Sequence, residues 1–282
     1  MRPVSEWTEK DIDDLYHGEI EESLTLEYKR SDALSKDKEH RRELFKDVSA
    51  MANGSGGIII YGMKEIDQKP DGTDDGLDPN VVTREQIENV LMSNIDPPIE
   101  GLFIKPVELT SKGTGKVAYV LQIPAAKSRG PHQAPDFRYY KRFNFKSEPI
   151  RDNDVRDLMR RGIEYGRKYG AALDLYVEMA RISSAAGARA TPGAGTLDIG
   201  RAIISVSPDL RSAGSALVLL APDLRKVVPG VIMRVDSYNA KVEARGGVNI
   251  LLDSSARVEL AKIKEAADEV CSQLSKILDQ EP

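Results

Sequence analysis

The chain has 282 residues, 40% apolar and 30% charged, with 40 Lys+Arg against 45 Asp+Glu and a formal net charge of −5. That balance builds a core and a soluble surface, which excludes wholesale disorder and a generally basic nucleic-acid coat. Its aliphatic runs fall far short of the roughly 20 residues that a membrane span needs, and the one cysteine, Cys271, leaves no intrachain disulfide or multi-cysteine zinc site and fits a reducing cytoplasm.

The opening residues, with Glu6, Glu9, Asp11, Asp13 and Asp14, read as an acidic helix, neither a secretory signal nor a transit peptide. Leu24, Leu26 and Tyr28 alternate with Thr25, Glu27 and Lys29, the period of a half-buried strand that places Glu27 and Lys29 on its polar face. Leu44, Phe45, Val48 and Met51 repeat at helical spacing from about residue 38, and Asn53-Gly54 supplies a stop. A glycine turn at 54–57 then feeds the β-branched run Ile58-Ile59-Ile60, read as a buried central strand. The turn is a tight connection or, alternatively, an anion nest.

Residues 83–95 read as a helix ended by Asp96-Pro97-Pro98, and two strands near 102–109 and 117–123 form a hairpin. The Gly113-Thr114-Gly115-Lys116 string between them is not a phosphate loop, because the positions that need glycine and Ser/Thr hold Thr110 and Val117. A loop at 124–135 leads into a strand at 138–142. From about Arg151 the pattern turns helical. Val155, Leu158, Tyr165, Tyr169, Ala172, Tyr176 and Met179 form one stripe, the Ala/Gly-rich stretch 185–196 breaks it, and Pro222 and Pro229 divide the next segment into short helices closed by Gly246-Gly247. A last helix spans about 255–278. The expected fold is therefore an α/β (α+β) domain with a mixed sheet over residues 1–160, followed by an all-α helical bundle over 161–282.

Two groups of residues carry chemistry. Between Lys127 and Lys146, six Lys or Arg stand against one acid, Asp136, with Phe137, Tyr139, Tyr140, Phe143 and Phe145 interleaved. Here Arg138, Lys141, Arg142 and Lys146 are candidates to neutralise phosphates and Tyr140 to stack a base. If the strands that carry them are neighbours, Glu22, Glu27 and Glu65 converge at the strand ends; the alternative is a chance grouping of solvated charges among 45 acids. Such oxygen ligands suit Mg²⁺ or Mn²⁺, with Lys29 offsetting charge on a phosphate.

The segments Glu22-Ser23-Leu24-Thr25-Leu26-Glu27-Tyr28-Lys29, Ser49-Ala50-Met51-Ala52-Asn53 through Gly57, and Ile59-Ile60-Tyr61-Gly62-Met63-Lys64-Glu65 resemble, in order and spacing, the motifs of the Schlafen AlbA-like domain. Pro131-His132 and the Arg138 to Arg142 run resemble its closing portion. Animal members include metal-dependent endoribonucleases that use two glutamates and an aspartate, so the resemblance implies Glu22 and Glu27 as the first two. Glu65 is a glutamate where the family has aspartate, with Asp67 as a nearby substitute. The resemblance implies a cytoplasmic, divalent-metal-dependent nuclease for structured, tRNA-like RNA in phage defence. In that reading RNA is favoured over DNA, and the helical half joins a homodimer or an operon-encoded protein partner. Two alternatives stand beside it: a non-catalytic nucleic-acid- or nucleotide-binding module, and a scaffold or sensor acting through the helical domain.

Overall fold

The structure, a computed structural model, describes residues 2–113, 115–127, 129–191, 197–245, 249–250 and 252–279. The chain divides into two compact units, residues 1–163 and 164–281, and each is described by itself.

The first unit is built on a four-stranded mixed sheet, β1 (Leu26–Lys29), β2 (Gly57–Tyr61), β6 (Val117–Ile123) and β5 (Phe103–Glu108) in that spatial order. β1 runs parallel to β2, which pairs antiparallel with β6, which in turn pairs antiparallel with β5. Helix α1 (Glu9–His17) precedes the sheet, α2 (Lys38–Ala52) crosses from β1 to β2, and α3 (Arg84–Asn94) precedes β5. Two antiparallel hairpins complete the unit: β3 (Met63–Ile66) with β4 (Lys69–Thr73), and β7 (Tyr140–Phe143) with β8 (Lys146–Pro149).

The aliphatic run in β2 is explained by layers on both faces of the sheet. Successive side chains point to opposite sides. Ile59 and Tyr61 therefore join Leu44, Val48 and Met51 of α2 and Ile87 and Leu91 of α3 in one core, whereas Ile60 meets Trp7, Ile12, Leu15, Tyr28 and Val120 in another. Gly57 begins β2 with φ +150°, and a Cβ there would lie 2.4 Å from the Thr25 carbonyl oxygen. The glycine turn thus serves the close approach of β1 to β2.

Helix α4 (Asp152–Ala190) runs from the first unit into the second. Its break, expected at 185–196, begins only after Ala190, and residues 192–196 lie outside the described residues. In the second unit, Leu175, Met179, Ile182 and Ala186 of α4 pack in one core with side chains from the later helices. After β9 (Leu197–Asp198) come the short helices α5 (Ile199–Ala202), α6 (Pro208–Arg211) and α7 (Gly214–Leu219), then α8 (Leu224–Ala244), β10 (Asn249–Ile250) and α9 (Ser254–Leu278). Ser207 caps α6 as its Ser-Pro pair predicts, its hydroxyl accepting from Leu210 N–H at 3.1 Å. Val228, Val231, Val235 and Tyr238 of α8 face Leu260, Ile263, Ala267 and Val270 of α9 within that core.

Two expectations are corrected. Pro229 does not end a helix but sits inside α8. The hydrogen bond it removes is the one to Arg225, and both residues are exposed, so the freed carbonyl can turn to water. The helical half also contains a strand pair, with β9 antiparallel to β10. The Gly246-Gly247 stop lies outside the described residues, although α8 does end at Ala244. Among the described residues, no helix is long and apolar enough to cross a membrane.

Candidate nucleic-acid interface and its buried charge network

Glu27 and Lys29 do share a face of β1, the one in register with Ile59 and Tyr61. That face is not solvated, because α2 and the β7–β8 hairpin border it, and Glu27 is only 3% exposed. A carboxylate buried there needs partners. It has two: the Lys29 ammonium at Oε1 and the Arg142 guanidinium at Oε2. Lys29 also stands 3.7 Å from Asp47 Oδ2, and Lys46 stands 3.8 Å from Asp47 Oδ1. Asp47 is itself buried, and burial raises its affinity for a proton against the pull of these two lysines.

Arg142, 3% exposed, closes the outer edge of β1. Its Nε donates to the Ser23 carbonyl at 2.7 Å and its Nη2 to the Leu26 carbonyl at 3.3 Å, with Glu22 Oε2 at 3.9 Å. Glu22 caps the same edge from the preceding segment, its Oε1 accepting the Tyr28 N–H at 2.8 Å. Covering an edge strand in this way satisfies backbone groups that would otherwise face solvent or another chain. Burial raises the Glu22 pKa above the ordinary carboxylate range, the Tyr28 N–H opposes that rise, and the charge of Glu65 adds to it.

Glu65 is exposed on β3, and its Oε1 accepts the Gln68 N–H at 2.7 Å in the β3–β4 turn. The turn is tied to Glu22 through a Glu22 N–H bond to the Gln68 carbonyl at 2.8 Å. Among the described residues, no group of three or more His, Cys, Asp or Glu side chains is placed to hold a metal ion. In this arrangement the acids do not fit an Mg²⁺ or Mn²⁺ centre. Glu22 Oε1 and Glu65 Oε1 accept backbone N–H groups, and both Glu27 oxygens meet cationic side chains.

The five basic and aromatic candidates divide by strand parity. Tyr140 and Arg142 point inward. The Tyr140 hydroxyl donates to Asp136 Oδ2 at 2.5 Å, and Tyr140 and Arg142 are both buried, so neither presents its polar head as a free phosphate or base contact. Lys141 points outward, with its Nζ 5.9 Å from the Phe143 ring centroid, and Lys146 and Arg138 are exposed. Around them Phe137 is 83% exposed and Phe143 48% exposed, and Phe145 is also exposed.

Asp47, to which the sequence assigns no role, and Asn53, read there as a helix stop, hold this region together. Asp47 shares a helix face with Leu44 and Met51, so an acid inside an apolar stripe was the available signal. Asn53, at the end of α2, donates to the His132 and Tyr140 carbonyls at 2.8 and 3.0 Å and accepts the His132 N–H at 2.7 Å. His132 is buried, its Nδ1 2.7 Å from the Pro97 carbonyl, and burial lowers its pKa. The acceptor is a carbonyl, so Nδ1 carries the proton.

Residues 22–151 match the family model described as Schlafen, AlbA_2. The family points to a function connected with nucleic acid. Four chains of solved structures match. One is the crystal structure of the DIP2311 protein from Corynebacterium diphtheriae, at 14% identity and a TM-score of 0.37, with the match covering 78% of this chain and 41% of that one. The chain thus spans less than half the length of that structure. No curated protein matches the sequence.

Proposed function

We propose that residues 22–151 bind a single-stranded stretch of nucleic acid along the outer face of the β7–β8 hairpin without cleaving it. The observation that carries this reading is the exposure of Phe137, Phe143 and Phe145, three of the chain's five phenylalanines, among Arg138, Lys141 and Lys146. Large apolar rings held in water beside cations form a surface on which bases stack while the cations meet phosphates. The duplex interior offers no such ring faces, so an unpaired strand fits best. The buried acids support the absence of cleavage, since Glu27 and Asp47 already face Lys29, Arg142 and Lys46.

Fluorescence anisotropy with labelled single-stranded RNA and DNA of one sequence tests the reading. Phe143→Ala is expected to weaken binding by about 1–3 kcal/mol, and Lys141→Ala to reduce the slope of log K against log salt by about 0.7. Unchanged binding in both Phe137→Ala and Phe143→Ala would overturn the interface. Cleavage of the probe with Mg²⁺ or Mn²⁺, lost in Glu22→Gln, would replace the non-cleaving reading with a hydrolytic one.

A further inference from the structure

Beside the hairpin lies a cavity of about 390 Å³, within the size range of small-ligand sites. Four cations line it: Lys36 just ahead of α2, and Lys38, Arg41 and Arg42 on its first turns. Lys38, Arg41, Arg42 and Phe45 follow i, i+3, i+4, i+7 spacing, so one face of α2 delivers them to the same place. Phe45, Ala134, Pro135 and Tyr140 form an apolar wall.

This charge is not accounted for by internal pairing. Among the described residues, Lys36, Lys38 and Arg41 have no carboxylate within ion-pairing distance, and Arg42 reaches only Asp136, at 4.0 Å. Asp136 is the one acid of the lining and already accepts the Tyr140 hydroxyl. The first turns of a helix are also where cations are least welcome, because the macrodipole presents its positive end there. The backbone N–H groups of Glu39 and His40 are taken by Asp37 Oδ1 at 3.0 Å each, so an anion entering the cavity would be held by the side chains. Four like charges gathered around an apolar wall, against the helix dipole, are a stability cost that an anionic ligand would relieve.

We propose that this cavity receives the terminal phosphomonoester of a nucleic-acid strand, with the phosphate on the four cations and its nucleotide against the Phe45 and Tyr140 wall. The inference rests on the hairpin reading and deepens it: Phe137 and Arg138 come directly after Asp136 in the chain, so a strand on the hairpin has its end at the cavity. A monoester suits the site better than a backbone diester. It carries up to two charges and three terminal oxygens, and only a strand end can enter a recess, whereas a continuing backbone must pass over it.

The full chain is titrated with one single-stranded sequence in three forms, bearing a 5′-phosphate, a 3′-phosphate or hydroxyls at both ends, and with a free nucleoside monophosphate as competitor. One phosphorylated form is expected to bind at least about tenfold more tightly than the hydroxyl form. That ratio should fall towards one in Arg41→Gln/Arg42→Gln and, as a second variant, in Lys36→Gln/Lys38→Gln. Phe143→Ala should weaken all three forms and leave the ratio intact. Displacement by the free monophosphate that is lost in the same variants supports the site and identifies the mononucleotide as sufficient. Equal affinity for the three forms in the parent chain, or a ratio that survives both double substitutions, overturns the proposal while leaving the hairpin interface standing. Binding of the monophosphate at the cavity with no affinity for the hydroxyl form would instead remove the hairpin reading and keep the site.

Discussion

The two sides of β7 use the same chemistry to opposite ends. On the inward side, the Arg142 guanidinium meets the Ser23 and Leu26 carbonyls and the Glu27 carboxylate, with Glu22 close by. On the outward side, one residue away, Lys141 is half-buried, with its Nζ 5.9 Å from the Phe143 ring centroid. A cation whose donors are met inside the protein is part of the scaffold, and a phosphate would have to displace several partners to reach it. The outward cation has no such competition. What separates structure from recognition here is parity along a four-residue strand, not residue type.

Removing a buried cation and an exposed one separates the two roles. Arg142→Ala leaves Glu27 buried with half of its compensation and two carbonyls unpaired, and should cost about 3–5 kcal/mol in urea unfolding; Arg138→Ala should stay within about 0.5 kcal/mol. Equal losses would mean that the two roles are not distinct. A smaller effect is expected from Lys29→Met, which withdraws the partner shared by Glu27 and Asp47 and should cost about 1–3 kcal/mol, read in the same assay; a neutral result would assign the whole compensation to Arg142 and Lys46. The smallest effect sharpens the picture through pH. Burial raises the Glu22 pKa in the folded chain, so the folded state keeps a proton there that the unfolded state has released. Stability from this group therefore falls as pH climbs from the ordinary carboxylate range through the raised value. Glu22→Gln does not titrate, so its Tm relative to the parent chain should rise as pH climbs above the ordinary carboxylate range. A pH-independent difference would show that Glu22 is not a buried acid in solution.

Much of the architecture is legible in the sequence because its signals are local. The Ile58-Ile59-Ile60 run announces a strand covered on both faces, and the apolar steps of α2 and α9 announce their helices. The alternation at 24–29 likewise assigns Glu27 and Lys29 to one side of β1. What alternation does not carry is what lies above that side. The polar face is buried because α2 brings Asp47 and Lys46 and the distant hairpin brings Arg142, 116 residues beyond Leu26. Pairing across such a separation has no periodic signature. The basic and aromatic run at 138–146 is visible as one cluster, and only its strand register, Tyr140 opposite Pro149 and Arg142 opposite Ser147, sorts it into inner and outer members. The cation cavity is hidden for a related reason, since its lining comes from residues 36–45 and 134–140, separate in the chain and joined by packing.

The side-chain amide of Asn53 and the carboxylate of Glu27 share a property that bears on how the domain is made. Each waits for a late stretch of chain: Asn53 for His132 and Tyr140, 79 and 87 residues further on, and Glu27 for Arg142. All four strands of the central sheet are synthesised by residue 123, yet a nascent chain halted there on the ribosome, or one clipped before the hairpin by a protease, holds a Glu27 carboxylate with only Lys29 to offset it and an unsatisfied amide in its interior. The hairpin that offers its outer surface to a partner is therefore also the piece that seals the inside, and a shortened product would lose its ligand-facing surface and its means of staying folded together.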